Sequence, residues 1–127
     1  MTKYSVMVVD DSAISLRNLS NILEELDFNV AGACFDGQQA CDNYSDLKPD
    51  LVTMDITMPV MDGIEATKKI VESHPEAVII MVTSHAQKQT VIDAVRVGAR
   101  GYIIKPFNKE KVAESITKVI DKYLKKE

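Results

Sequence analysis

The feature that most constrains this chain is an end-to-end alternation of short apolar runs with amphipathic stretches. Val6-Met7-Val8-Val9 reads as a buried strand. Ile14, Leu16, Leu19, Ile22, Leu23 and Leu26 follow at helical spacing, and Ser12 stands where an N-cap belongs. Asn29 to Phe35 reads as a second strand. Gly37 to Leu47 reads as a helix that stops before Pro49, because the residue preceding proline avoids the α region. Leu51-Val52-Thr53-Met54 is a third strand. Asp62-Gly63-Ile64-Glu65 has the spacing of a capping box and opens a helix to about His74. Val78 to Val82 is the fourth and most hydrophobic strand. Gln87 to Val97 reads as a helix with Val91, Ile92 and Val95 facing inward and Gly98 as its C-cap. Gly101 to Ile104 is the fifth strand. Asn108 caps a last helix with an inner stripe of Val112, Ile116, Val119, Ile120 and Tyr123.

Five strand–helix units in alternation predict a parallel sheet covered by helices on both faces. Three of the strand runs lack apolar/polar alternation, as strands buried on both faces should. The expected fold is thus an α/β three-layer sandwich. At 127 residues the chain suits one domain, so residues 1–127 are read as a single unit with no output domain. Hydrophobic residues at 46% and charged residues at 27% exclude a disordered or low-complexity chain. A net charge of −4 disfavours a phosphate backbone as partner, so no direct nucleic-acid binding is expected. No run approaches the ~18 apolar residues of a membrane span. Asp10 arrives too early for a signal peptide's apolar region. A cytoplasmic protein is expected, with Cys34 and Cys41 as reduced thiols. Neither cysteine lies in a CxxC, and His74 and His85 are isolated, so no zinc site is expected.

Function is written in the residues that follow the strands. Asp10-Asp11 follow the first, Asp55 the third, Thr83-Ser84 the fourth and Lys105-Pro106 the fifth. The second strand has no such residue, which suits an outer position. Ligands of open α/β sheets bind outside the carboxyl ends of the strands. Each residue has a bland reading on its own. Asp10-Asp11 could form a turn or cap, Asp55 could start a turn, Thr83 could cap a helix, and Lys105 could be a solvated loop lysine. Their convergence on one rim argues for a site. Two carboxylates ~4 Å apart repel by ~4 kcal/mol at an effective dielectric of ~20, so three of them call for a cation. Hard oxygen ligands and phosphate chemistry suit Mg²⁺. Lys105 and Thr83 can hold phosphoryl oxygens. A free carboxylate that attacks phosphorus forms an acyl phosphate.

These residues resemble the receiver domain of two-component response regulators. The matching segments are Val8-Val9-Asp10-Asp11-Ser12, Met54-Asp55-Ile56-Thr57-Met58-Pro59, Met61-Asp62-Gly63, Val82-Thr83-Ser84, Gly98-Ala99, Gly101-Tyr102 and Lys105-Pro106-Phe107. They span nearly the whole chain and look like the stand-alone, chemotaxis-type receivers. The resemblance implies a flavodoxin-like sheet of order 2-1-3-4-5 with five helices. It implies Asp55 as phosphoacceptor from a sensor histidine kinase. It also implies Asp11 as a direct Mg²⁺ ligand, Asp10 acting through water, and the Thr57 carbonyl completing the metal shell. Thr83 takes the place of the switch hydroxyl, Lys105 of the family lysine, and Tyr102 of the aromatic that rotates inward on activation. An aromatic in a strand can also be plain core. Thr57 and His85 fall where the family tunes loss of the phosphoryl group. The resemblance raises the expectation of a cis Lys105–Pro106 bond. It implies a phosphoacceptor signalling protein rather than an enzyme, with self-phosphorylation and slow aspartyl-phosphate hydrolysis. Output is expected through the face of the fourth helix, fifth strand and fifth helix, toward an effector such as a flagellar-switch or phosphotransfer protein.

Three rivals remain at this point. A haloacid-dehalogenase-type phosphatase would need a second aspartate two residues after the nucleophile, where this chain has Thr57. A flavodoxin-like binder would need a phosphate loop rich in Ser, Thr and Gly, where Asp10-Asp11 would repel the ligand. A receiver cut from a DNA-binding regulator is the third, although the ending in Leu124-Lys125-Lys126-Glu127 without a linker favours a complete protein. The stretch from Lys109 to Glu127 carries +2 while the remainder carries −6, which suits a solvated face or a dock for an acidic partner.

Overall fold

Among the described residues, four helices begin on a side chain that accepts a backbone N–H of the first turn. In a computed structural model describing residues 4–84 and 88–124, Ser12 opens α1 (Ala13–Glu25) and Asp36 opens α2 (Gly37–Leu47). Asp62 opens α3 (Gly63–Ser73) and Asn108 opens α5 (Lys109–Val119). The Asp62 carboxylate accepts from Glu65 N–H at 2.8 Å, as the capping-box spacing predicts. The α2 helix ends at Lys48, left-handed at φ 45°, ahead of Pro49. The described part of α4 is Lys88–Arg96, so the expected start at Gln87 lies outside the described residues. Gly98, at φ 110°, stops it as expected. After α5 the chain continues as a π-helical turn, Ile120–Leu124.

The strands are β1 (Ser5–Val9), β2 (Asn29–Cys34), β3 (Leu51–Asp55), β4 (Ile79–Thr83) and β5 (Gly101–Ile104). All neighbouring pairs are parallel, in the order β2-β1-β3-β4-β5. Asp55 and Thr83 are therefore the last residues of their strands rather than the first loop residues. Strand alternation divides the core. Met7, Val9, Val52, Met54 and Met81 pack with α2, α3 and α4. Val6, Val8, Leu51, Ile80 and Val82 pack with α1 and α5. The three layers thus match the expected sandwich.

Two helix faces differ from the periodicity. Ile14, in the first turn of α1, is 75% exposed; Leu19 and Leu23 carry the burial. Val95 is 62% exposed and Ala94 takes the buried position of α4. Which residue of that short helix is buried is a matter of packing that hydrophobicity alone does not reveal. No helix among the described residues is long and apolar enough to cross a membrane.

Candidate functional site

The order β2-β1-β3 brings the ends of β1 and β3 side by side, and β4 and β5 follow on the other flank. Asp10 leaves β1, Asp55 ends β3, Thr83 ends β4 and Lys105 leaves β5. Asp10 and Asp55 are buried and Asp11 is exposed. One carboxylate oxygen from each lies within 4.8 Å of the others. Lys105 Nζ donates to Asp10 Oδ2 at 2.9 Å and stands 3.6 Å from Asp55 Oδ1. Asp10 Oδ1 accepts the Ser12 N–H at 2.9 Å. Asp10 thus both anchors the lysine and fixes the turn into α1, while Ser12 caps the helix. The Lys105 N–H donates to the Thr83 carbonyl at 2.8 Å, tying the ends of β4 and β5 together.

Charge decides the chemistry. Burial, and then the neighbouring Asp10, push the Asp55 carboxyl up from 3.8 to about 6; Lys105 opposes the shift and Asp11 adds to it. Burial pulls the Lys105 ammonium down, but its hydrogen bond to Asp10 and the charges of Asp55 and Asp10 outweigh this, and the net shift is upward. Three acids against one lysine leave the pocket short of positive charge. An exposed carboxylate beside two buried ones, all oxygen donors, fits a hard divalent cation that keeps part of its water.

The loop from β3 to α3 is tightly drawn. Met61 N–H donates to the Pro59 carbonyl at 2.7 Å across Val60, which is held at φ 67°. Gly63 N–H donates to the Ile56 carbonyl at 2.8 Å. A β-carbon on Gly63 would lie 2.1 Å from the Asp55 carbonyl oxygen, so only glycine lets α3 start this close to the pocket. Sequence reasoning used Gly63 only as part of the Asp-Gly motif. Its position directly after the N-cap, where larger residues are ordinarily welcome, was the available signal. Thr57 is exposed in this loop.

Thr83 is buried at the end of β4. Tyr102, on β5, is 48% exposed, so it is not plain core. Thr83 and Tyr102 both line a cavity of about 260 Å³ beneath α4, together with Met81, Val91 and Ala94. The Lys105–Pro106 peptide is cis, as the resemblance suggested. His85 lies outside the described residues.

With this geometry in view, the comparisons with known proteins agree. Residues 6–117 match the response regulator receiver domain. Protein CcdB of Bacillus subtilis (strain 168) is 45% identical over 115 residues, covering 91% of this chain and 96% of that protein. Chemotaxis protein CheY of Thermotoga maritima is 43% identical over 114 residues, covering 90% and 95%. A chain of the crystal structure of the CheX-CheY-BeF3-Mg²⁺ complex from Borrelia burgdorferi matches with TM-score 0.87 and 34% identity, covering 96% of this chain and 90% of that one. This chain belongs to the response regulator receiver family. It is a receiver homologous to CheY, a phosphorylatable response regulator of two-component signalling, and not a classical enzyme. The phosphatase and flavodoxin rivals fall with that match.

Proposed function

We propose that Asp55 accepts the phosphoryl group from a phosphohistidine of a sensor histidine kinase. An Asp55 carboxylate oxygen attacks phosphorus, the phosphorus–nitrogen bond breaks, and the histidine ring leaves. At neutral pH Asp55 lies above its pKa of about 6 and is mostly ionised for attack. Asp10, Asp11, Asp55 and the Thr57 carbonyl are the groups that would hold Mg²⁺, which when bound offsets the negative charge brought together on the rim. Lys105 and Thr83 meet the phosphoryl oxygens, since catalysis of this transfer is largely positioning and charge stabilisation. The same pocket takes a phosphoryl group from small donors such as acetyl phosphate and loses it slowly to water. Phosphorylation adds about −1.5 to −2 charges. Thr83 and Lys105 respond, Tyr102 turns toward the cavity below α4, and an effector protein reads the changed α4–β5–α5 face. We place this cycle in the cytoplasm, with residues 1–127 acting as one receiver domain. The coverage of 96% and 95% of the CcdB and CheY relatives supports the single-domain reading.

The observation that carries the proposal is the cluster of Asp10, Asp11 and Asp55 within 4.8 Å, bridged on one side by Lys105. The test is intact mass after acetyl phosphate and Mg²⁺. The wild-type chain should gain one phosphoryl group and Asp55→Asn none. Equal labelling of the variant contradicts the assignment.

A further inference from the structure

The cavity beneath α4 has apolar walls from Met81, Val91, Ala94 and Ala99. Protein interiors leave few voids larger than a water molecule, so an opening of about 260 Å³ calls for an occupant. An apolar cavity of ~150 Å³ already accepts benzene. This one therefore has room for an aromatic ring and a short side arm.

Tyr102 accounts for part of the space. It stands level with Met81 across the sheet and enters the cavity in the cycle proposed above. It does not account for the far end, away from Thr83, where Arg100 and Tyr123 form the lining. The Arg100 N–H donates to the Ile79 carbonyl at 2.8 Å, two strand residues below Met81, or about 6.6 Å along β4. Arg100 is partly buried, whereas Arg17 and Arg96 are exposed. Its Nη2 donates to the Pro75 carbonyl at 3.1 Å, and its guanidinium carbon lies 4.6 Å from the centroid of the Tyr123 ring. These contacts hold the side chain in place without neutralising it. Among the described residues no carboxylate pairs with Arg100. Its remaining N–H groups form the planar fork that suits a carboxylate.

We propose that this cavity is a binding site for a small aromatic carboxylate. The ring lies among Met81, Val91 and Ala94, the acid group meets the Arg100 guanidinium, and the ligand fills the space that Tyr102 needs. A bound ligand thus favours the unphosphorylated receiver, and by reciprocity phosphorylation weakens the ligand's hold. The competition rests on the reading of Asp55 and Tyr102 given above; the site itself does not.

The test is an amide NMR titration with phenylacetate, and with phenylacetamide as its uncharged counterpart. Phenylacetate should shift the amides of residues 91–102 saturably. Phenylacetamide should bind about tenfold more weakly, because it lacks the charge that strengthens the hydrogen bonds to Arg100. Arg100→Gln should bring the two probes to equal affinity. Val91→Phe, which fills the cavity, should bind neither. The proposal is overturned by the absence of saturable shifts in the wild-type protein, by equal affinities of its two probes, by an undiminished preference for the acid in Arg100→Gln, or by full binding in Val91→Phe. The titration is then repeated after acetyl phosphate and Mg²⁺, with intact mass to count the label. Labelled protein should bind phenylacetate about tenfold more weakly. Undiminished binding by labelled protein overturns the competition with Tyr102. Protein that takes no label marks a failure of the phosphoacceptor reading instead, and the first titration still decides the site.

Discussion

The centre of the sheet and its β5 edge are built to different standards. From Val6 to Val9, Leu51 to Asp55 and Ile79 to Thr83, every residue is buried. On β5 only Ile103 is buried, while Tyr102 and Ile104 stand half in solvent. The groups that need fixed geometry, Asp10, Asp55 and Thr83, sit at the ends of strands that cannot shift without breaking two packed layers. The edge has one strand neighbour and less packing to hold it. Lys105 belongs to both regions, since it leaves β5 yet bonds to Asp10. On the proposed function, chemistry at the packed centre is read out at the less packed edge.

The largest effect should come from cutting each region in turn. Ile80→Ala removes a fully buried side chain beside β3 and should cost about 2–5 kcal/mol. Ile104→Ala, on a side chain 44% exposed, should cost less than about 1 kcal/mol. Urea unfolding of the two variants checks this, and equal losses would break the comparison.

Next comes the charge stored at the centre. The folded state holds the Asp55 proton up to about pH 6, whereas the unfolded chain releases it near 3.8. Between these values the folded state binds more proton, so metal-free stability falls as pH rises through the window and is flat above it. At ~1.4 kcal/mol per pKa unit, Asp55→Asn should stabilise the metal-free protein by about 1–3 kcal/mol at pH 7 and remove most of that slope. Chemical denaturation at pH 5 and pH 7 with chelator present measures both. A destabilised variant would mean the pocket is not short of positive charge.

The smallest effect concerns the loop above the pocket. Val60 is β-branched, held at φ 67° and 82% exposed. The left-handed region costs such a residue about 1–2 kcal/mol, and glycine's greater unfolded freedom returns part of that. Val60→Gly should raise stability by about 0.5–1 kcal/mol, read as a higher Tm, with labelling intact. A lower Tm would show that Val60 holds the loop by contacts rather than under strain.

The strands and three of the helix starts were legible because they depend on local chemistry: apolar runs, caps at Ser12, Asp62 and Asn108, and breaks at Pro49 and Gly98; the Asp36 cap of α2 was not read. The rim residues were legible because parallel strands deliver their carboxyl ends to one place. Facing was read less well. Ile14 and Val95 fit the helical period, yet both are exposed, because facing is set by tertiary packing rather than by period alone. The resemblance separated the roles of Asp10 and Asp11, but the bonds of Asp10 to Ser12 N–H and Lys105 needed geometry.

The central claim is that the centre of the sheet drives its edge, and Thr83 joins the two. A hydrogen bond to a charged group is worth about 1.5–3 kcal/mol, enough to shift a two-state equilibrium. The direct measurement is amide NMR of wild type and Thr83→Ala, each phosphorylated with acetyl phosphate and Mg²⁺. Thr83→Ala should still take a phosphoryl group at Asp55, because Asp10, Asp11 and Lys105 remain. It should lose most of the phosphorylation-induced shift across residues 91–104. The full wild-type shift in Thr83→Ala would contradict the account and leave Lys105 as the route from pocket to edge.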